Sequence, residues 1–288
     1  MSSLFGYAVA SEVELCRLAP EAGSRGLLSV SVTTPNALPV ARARLASFGT
    51  CTLARTGDGP LIACRAAGMF SVEPAARRVR VAVAAGCSPA ALEHRIVATA
   101  VPLLASELGD AVLHASAVVG GGGAVLFCGP SGRGKSTLAR ASGLPVVAED
   151  GAVLAADEPG EPALVWPGPT GVRVREPAGT RVVRAPRNAF PVPARAVVLL
   201  APRGGRRVRA EPVSPAEAAV ELVSHVMTAV DPILPTAFRV AAGLADTIPA
   251  FRGRVPDDLA AAPAAARELV AAVEQHVQEH HPLAAGIT

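Results

Sequence analysis

Nine consecutive residues restrict this chain more than any other feature: Gly129-Pro130-Ser131-Gly132-Arg133-Gly134-Lys135-Ser136-Thr137. They match the pattern G-x-x-x-x-G-K-[ST] in full. Glycines at these places let successive backbone N–H groups turn inward on phosphate oxygens, and a helix opening directly afterwards adds the positive end of its dipole. The flanks have the required character. Val125–Cys128 is a short apolar run suited to a strand, and Ser136–Ala141 reads as a short helix. On this reading residues Gly129 to Thr137 cradle the phosphates of a nucleoside triphosphate, with ATP and Mg²⁺ the expected pair. Lys135 reaches the β- and γ-phosphates and the Ser136 hydroxyl ligates the metal. A chance glycine-rich turn is the competing reading.

One compositional fact sharpens the assignment. Lys135 is the only lysine, against 26 arginines. Wherever a positive charge merely has to exist, this chain uses arginine. A guanidinium fork cannot replace a compact ammonium inside a tight phosphate cradle.

With 288 residues, half of them apolar and 18% charged, the chain has material for one large domain or two small ones with a buried core. A formal charge of +3 is too small to imply a nucleic-acid or membrane partner. Trp166 and Tyr7 are isolated, so no aromatic platform for single strands is indicated. The five cysteines, Cys16, Cys51, Cys64, Cys87 and Cys128, are scattered, odd in number and without a Cys-x-x-Cys pair. That pattern argues against a disulfide framework and a zinc site, and for a reducing compartment. Glu12 and Glu14 interrupt the stretch a signal peptide would need. The apolar run Ala111–Cys128 contains His114 and four glycines at 120–123, so it reads as two strands around a turn rather than a membrane span. The expectation is a cytoplasmic protein, with oligomerisation left open.

Residues 1–108 read as a small β-rich module with a linker helix. Strand-like runs are Leu27–Val32, Gly49–Leu53, Leu61–Cys64 and Val79–Ala84. Ser88-Pro89 is an N-cap with proline at the first helical position, followed by the stripe Leu92, Ile96, Leu104 and Leu108, kinked at Pro102 and ended at Gly109. Residues 109–288 read as an α/β domain around the phosphate loop. Expected elements are strands at 111–119, 124–128, Pro145–Ala148, Leu164–Trp166, Gly171–Val174 and Ala196–Leu200. Ser214-Pro215-Ala216-Glu217 is a capping box for a helix to about Val230. A helix Thr236–Asp246, a strand Ile248–Arg252 and an amphipathic helix Pro263–His280 complete the chain. No internal repeat is present.

Three further groups are candidates. Glu149-Asp150 ends the apolar run Pro145–Ala148, where carboxylates beside a phosphate loop hold Mg²⁺ or position a nucleophile; the competing reading is an acidic turn before Gly151. Adjacent residues of an extended chain point to opposite sides, so the two carboxylates are expected to do different jobs. His114 lies among apolar strand residues and is either functional or an ordinary half-buried histidine. The run Arg203–Arg209 reads as a solvated hairpin tip, with contact to an acidic substrate as the alternative. His280-His281 reads as a solvated tail.

Leu113-His114-Ala115-Ser116-Ala117-Val118, a glycine turn, the phosphate loop and Val147-Ala148-Glu149-Asp150 together resemble the HPr kinase/phosphorylase family, and within it the kinases encoded with lasso-peptide biosynthesis. The β-rich N-terminal module and Ile248-Pro249-Ala250-Phe251-Arg252 resemble the same kinases. The resemblance implies an HPr-kinase/PEP-carboxykinase-like α/β domain and a peptide or protein partner with an acceptor serine. It implies Asp150 as the base on the substrate hydroxyl, Glu149 as a metal or water ligand, and His114, fifteen residues before Gly129, near the transferred phosphate. Lys135 stabilises the transferred charge. The chain departs from the family in having Glu149-Asp150 where Asp-Asp is usual, and in a segment from Lys135 to Asp150 shorter by about one helical turn. No clear counterpart exists for the glutamate that helps bind metal in the bifunctional enzymes, which separates phosphorylase activity from ATP binding. A non-catalytic ATP-dependent switch and a small-molecule kinase remain as alternatives. A transporter ATPase is disfavoured, since the chain has no Leu-Ser-Gly-Gly-Gln signature.

Overall fold

The computed structural model describes residues 2–18, 25–48, 50–156, 161–169, 172–176, 179–183, 187–204, 207–230, 233–257 and 262–280, with the backbone alone at Phe48, 172–176 and 179–183. Gly49, Gly171, Gly205, Arg206 and His281 therefore lie outside the described residues. The chain divides into two compact units. The first is Met1–Val112 with Pro167–Thr170 and Met227–Thr236, and the second is Leu113–Trp166 with Gly171–Val226 and Ala237–Thr288.

The first unit is built on a sheet of β1 (Ser2–Leu4), β2 (Tyr7–Ser11), β3 (Leu27–Val32), β4 (Ala43–Phe48), β5 (Cys51–Arg55), β6 (Pro60–Cys64), β7 (Gly68–Glu73) and β8 (Arg78–Val83). Their order is β1-β2-β3-β8-β7-β6-β5-β4. One face carries Ile62, Phe70, Val72, Val79 and Val81, all essentially unexposed, as the two-residue alternation of these strands requires. Between helices α1 (Pro89–Arg95) and α2 (Val101–Glu107) lies Ile96, and α2 carries Leu104; both are fully buried. Ser88 caps α1 by accepting from the Ala91 N–H (3.3 Å). The expected kink is a π-helical turn at Ile96–Ala100, next to Pro102, which has no N–H to continue the regular ladder.

Tyr7 is structural. Its hydroxyl donates to Asp110 (2.8 Å) and the guanidinium groups of Arg25 and Arg77 lie 4.6 and 5.4 Å from the ring centre. Arg25 pairs with Asp110 as well.

The expectation of unpaired cysteines fails in this unit. Cys51 and Cys64 face each other across the β5–β6 ladder and form a disulfide. Their separation of 13 residues spans a hairpin whose register brings them opposite each other. Cys16 and Cys87 are free, and so is the buried Cys128 of the second unit.

The chain passes between the units within β9 (Ala111–Leu113). The second unit holds β10 (Ala115–Gly120), β11 (Gly123–Cys128), α3 (Lys135–Ala141), β12 (Val146–Ala148), β13 (Ala152–Ala155), β14 (Leu164–Trp166), β15 (Val172–Glu176), β16 (Gly179–Val183), β17 (Val192–Leu200), β18 (Arg209–Val213), α4 (Pro215–Leu222), β19 (Ala250–Arg254) and α6 (Ala262–His280). Helix α5 (Ile233–Thr247) spans the boundary at Thr236. β12, β10, β11, β17 and β19 lie side by side. β10 is antiparallel to β11 and β12, while β11, β17 and β19 run parallel. It is a mixed α/β architecture. The closing helix covers one face with Ala266, Leu269, Val270, Val273 and Val277, a stripe at helical spacing.

The glycine turn joins β10 to β11 as expected. Glu274 of α6 accepts from the Gly122 N–H (3.3 Å) and occupies the space a side chain at Gly120 would need. The helix expected to reach about Val230 tightens into a 3₁₀ turn at Val223–His225 and ends there. Val226 bridges to Leu113 and the His225 carbonyl accepts from the His114 N–H (2.7 Å), so these backbone groups serve a strand instead. No described helix is long and apolar enough to cross a membrane.

Candidate functional site

Strand registers alone bring the candidate residues to one sheet edge. Ala115 pairs with Cys128, so His114, just before β10, sits beside Gly129, just after β11. β12 runs alongside β10 with Ala148 opposite Ala117, which delivers Glu149 and Asp150 to the same edge. Leu199 of β17 pairs with Cys128 in parallel, so the residues beyond Leu200 arrive there too. The carboxyl ends of parallel strands are where open α/β sheets place ligands. Here they surround a cleft of about 270 Å³.

Ser131, Gly132, Gly134, Lys135, Ser136 and Thr137 form one wall of the cleft; His114, Glu149, Asp150 and Arg203 form the rest. Gly132 and Gly134 have φ of 86° and 96°, a left-handed conformation that costs L-residues energy. Gly129, Pro130 and Arg133 do not line the cleft. The Arg133 N–H closes a turn on the Pro130 carbonyl (3.2 Å). The Lys135 ammonium is buried and donates to the carbonyls of Gly129 (2.6 Å) and Pro130 (3.4 Å). Burial pulls its pKa down, partly offset by Cys128 and Asp150. The Ser136 hydroxyl meets that of the fully buried Ser116 at 3.4 Å.

Both carboxylates line the cleft, which differs from the alternation expected of extended chain. Asp150 has φ of 60° and forms the tip of a tight turn in which Glu149 bridges to Gly151. At that φ the backbone is not extended, so the expected alternation does not apply there. Glu149 is 2% exposed. His114 interrupts the expected strand rather than lying within it, between β9 and β10. Its ring Nδ1 is 2.8 Å from the Asp150 carbonyl. A carbonyl only accepts, so Nδ1 carries the proton and the ring holds the Asp150 turn. Burial, then Lys135, push the His114 pKa below the ordinary histidine value, against the pull of Asp150.

The sequence reading placed Arg203 in a solvated tip, with contact to an acidic substrate as the alternative, and gave His225 no role. Arg203 is not part of a solvated tip. It lines the cleft, its guanidinium lies over Gly134 where a Cβ would collide with it, and its buried Nε makes no hydrogen bond among the described residues. Arg207 and Arg209, further along the run, are exposed. His225 is 8% exposed. Burial first, then Lys135 and His114, bring its pKa down to about 4, with Glu221 opposing. His280 is exposed at the end of α6, stacked on His276.

Among the described residues no cluster of three or more His, Cys, Asp or Glu could hold a metal unaided. Ser136, Glu149 and Asp150 bring hard oxygen donors into the cleft. Such a set fits Mg²⁺, which usually takes one or two carboxylates and completes its shell with phosphates and water.

No protein family matches the chain, and no curated protein does. Among solved structures, the HPr(Ser) kinase/phosphatase from Coxiella burnetii matches at 14% identity over 58% of this chain and 98% of that one, with a TM-score of 0.30. The chemistry is read from the cleft itself.

Proposed function

We propose that the protein is a Mg²⁺- and ATP-dependent kinase that moves the γ-phosphate to a hydroxyl, and that the acceptor is a serine of a peptide, of the lasso-precursor kind. The observation that supports transfer is the presence of Lys135, Ser136, Glu149 and Asp150 in one cleft. The phosphate loop and the lone lysine account for the donor. The sequence resemblance built on His114, the loop and Glu149-Asp150 supports the peptide serine.

In this reading the loop amides and Lys135 bind the triphosphate, and Arg203 adds a second cation at the same wall. Asp150 accepts the proton of the attacking hydroxyl as its oxygen bonds to the γ-phosphorus and ADP departs. His114 orients Asp150 by donating to its carbonyl. Mg²⁺, held by Ser136 and Glu149, would neutralise charge on the phosphates.

The test is incubation with Mg²⁺-ATP and candidate serine-containing precursor peptides, read by mass spectrometry. One phosphate gained on serine, lost with Asp150→Asn, is expected. Steady ATP hydrolysis with no acceptor modified would turn the reading towards a nucleotide-driven switch.

A further inference from the structure

Strand β10 carries a single hydroxyl, that of Ser116, between Ala115 and Ala117; all three residues are 0% exposed. Side chains alternate along a strand, so Ser116 shares its face with Val118, and the β10–β11 ladder sets Phe127 opposite it. Leu138 and Ala139 of α3 join Val118 and Phe127 in one apolar cluster. An apolar side chain suits such a place, because a buried hydroxyl gives up its water and must find a partner.

Among the described residues the partner of the Ser116 hydroxyl is that of Ser136, at 3.4 Å. This is long for two hydroxyls, which usually lie about 2.7–2.8 Å apart. The contact therefore contributes little to holding α3 on the sheet. Its position is more informative than its strength. Ser136 lines the cleft and Ser116 does not, so Ser116 meets it from the sheet side. β12 pairs with β10 at Ala148 and Ala117, and the next step along that ladder brings the backbone of Glu149 across from Ser116.

We propose that Ser116 is a positioning residue for the metal. The inference rests on the kinase reading, in which Ser136 offers its oxygen to Mg²⁺. Either hydroxyl can donate in the isolated pair. An oxygen that gives a lone pair to a cation must aim its own hydrogen elsewhere, so Ser136 then donates and Ser116 accepts. That hydrogen bond holds the Ser136 side chain in one rotamer, with its lone pairs towards the cleft. Alanine at 116 would pack as Ala115 and Ala117 do but leave Ser136 free to rotate.

The experiment titrates the full chain with ATP by calorimetry twice, in saturating Mg²⁺ and in EDTA, and melts each variant without nucleotide. The ratio of the two affinities is the gain that the metal brings. Ser116→Ala is expected to cut that gain about tenfold, the usual effect of removing the group behind a metal ligand. Affinity in EDTA and Tm are expected to stay as in the parent. Ser136→Ala is expected to cut the gain at least as far, and the double variant no further, because both changes act through one oxygen. A Ser116→Ala protein with the parent's gain overturns the proposal while leaving Ser136 as a ligand. A loss of equal size in Mg²⁺ and in EDTA, or a Tm lowered by several degrees, makes Ser116 a packing residue and overturns it as well. Losses that add in the double variant do the same. A parent whose ATP affinity is indifferent to Mg²⁺ instead removes the metal reading, and the proposal with it.

Discussion

Gly134→Ala separates the two duties of the residue that opens α3. With φ at 96°, alanine loses about 1–2 kcal/mol from the backbone alone. In a unit of this size that lowers Tm by roughly 2–8 °C. The new Cβ also overlaps the Arg203 guanidinium, which must leave its place in the cleft. A hydrogen bond from a charged donor to phosphate contributes about 1.5–3 kcal/mol, so nucleotide affinity should fall roughly 10- to 100-fold. Arg203→Ala should reproduce that loss without the fall in Tm, because its buried Nε has no hydrogen bond to give up among the described residues. Both changes act through one guanidinium, so the double variant should bind no more weakly than the worse single variant. Thermal melts and calorimetric titration with Mg²⁺-ATP measure both quantities. If Gly134→Ala melts early but binds like the parent, or if the two losses add, Arg203 is not a phosphate ligand.

The remaining expectations concern the other side chains of the cleft. Lys135→Arg should transfer phosphate as poorly as Lys135→Ala, because the buried ammonium is held by two carbonyls in a geometry that a planar guanidinium fork does not reproduce; near-parent turnover would remove the lysine from its role. Asp150→Asn should abolish transfer yet keep Mg²⁺-ATP affinity within about tenfold, ~1.4 kcal/mol, whereas Glu149→Gln should chiefly weaken Mg²⁺ dependence. Retained transfer in the first variant and none in the second would exchange the two roles. His225 should make the fold acid-sensitive. Its folded pKa of about 4 lies below the ordinary 6.5, so its stability term is complete above pH 6.5 and is lost as pH falls through 4. The loss is about 3 kcal/mol, and denaturant melts of His225→Gln between pH 7 and 4 should show a flatter decline than the parent. Cys128, its thiol pushed up to about 12 by burial, should resist iodoacetamide at pH 8 while Cys16 reacts, and should label only in denaturant.

Apolar runs bounded by turn residues were enough to find β3 and most of β6 and β8, and Ser88 and Ser214 marked two helix starts because capping chemistry is local. What depends on pairing between distant segments was not legible. Arg203 looks like turn decoration until β17 is known to lie parallel to β11, since only that register carries it to the phosphate loop. The end of that helix at His225, short of Val230, was not legible because nothing nearby shows that the His225 carbonyl is taken by His114. The turn at Asp150 defeated a sound rule, as alternation of side chains assumes extended backbone and φ there is 60°. The disulfide is an intermediate case. A hairpin centred on Gly57-Asp58 pairs Cys51 with Cys64, so building the register would have disclosed it.

The neighbours of β11 also set when the phosphate loop can first work during synthesis. β10 and β12 emerge within about twenty residues of the loop, but β17 ends at Leu200 and β19 at Arg254. A nascent chain that has displayed residues 129–137 still presents one edge of β11 unpaired and lacks the arginine that roofs Gly134. Long-range parallel pairing closes large loops and forms late. On the proposed function, competence for nucleotide therefore arrives only once β17 and β19 have been made, and a ribosome stalled before Leu200 holds the whole motif without the pocket.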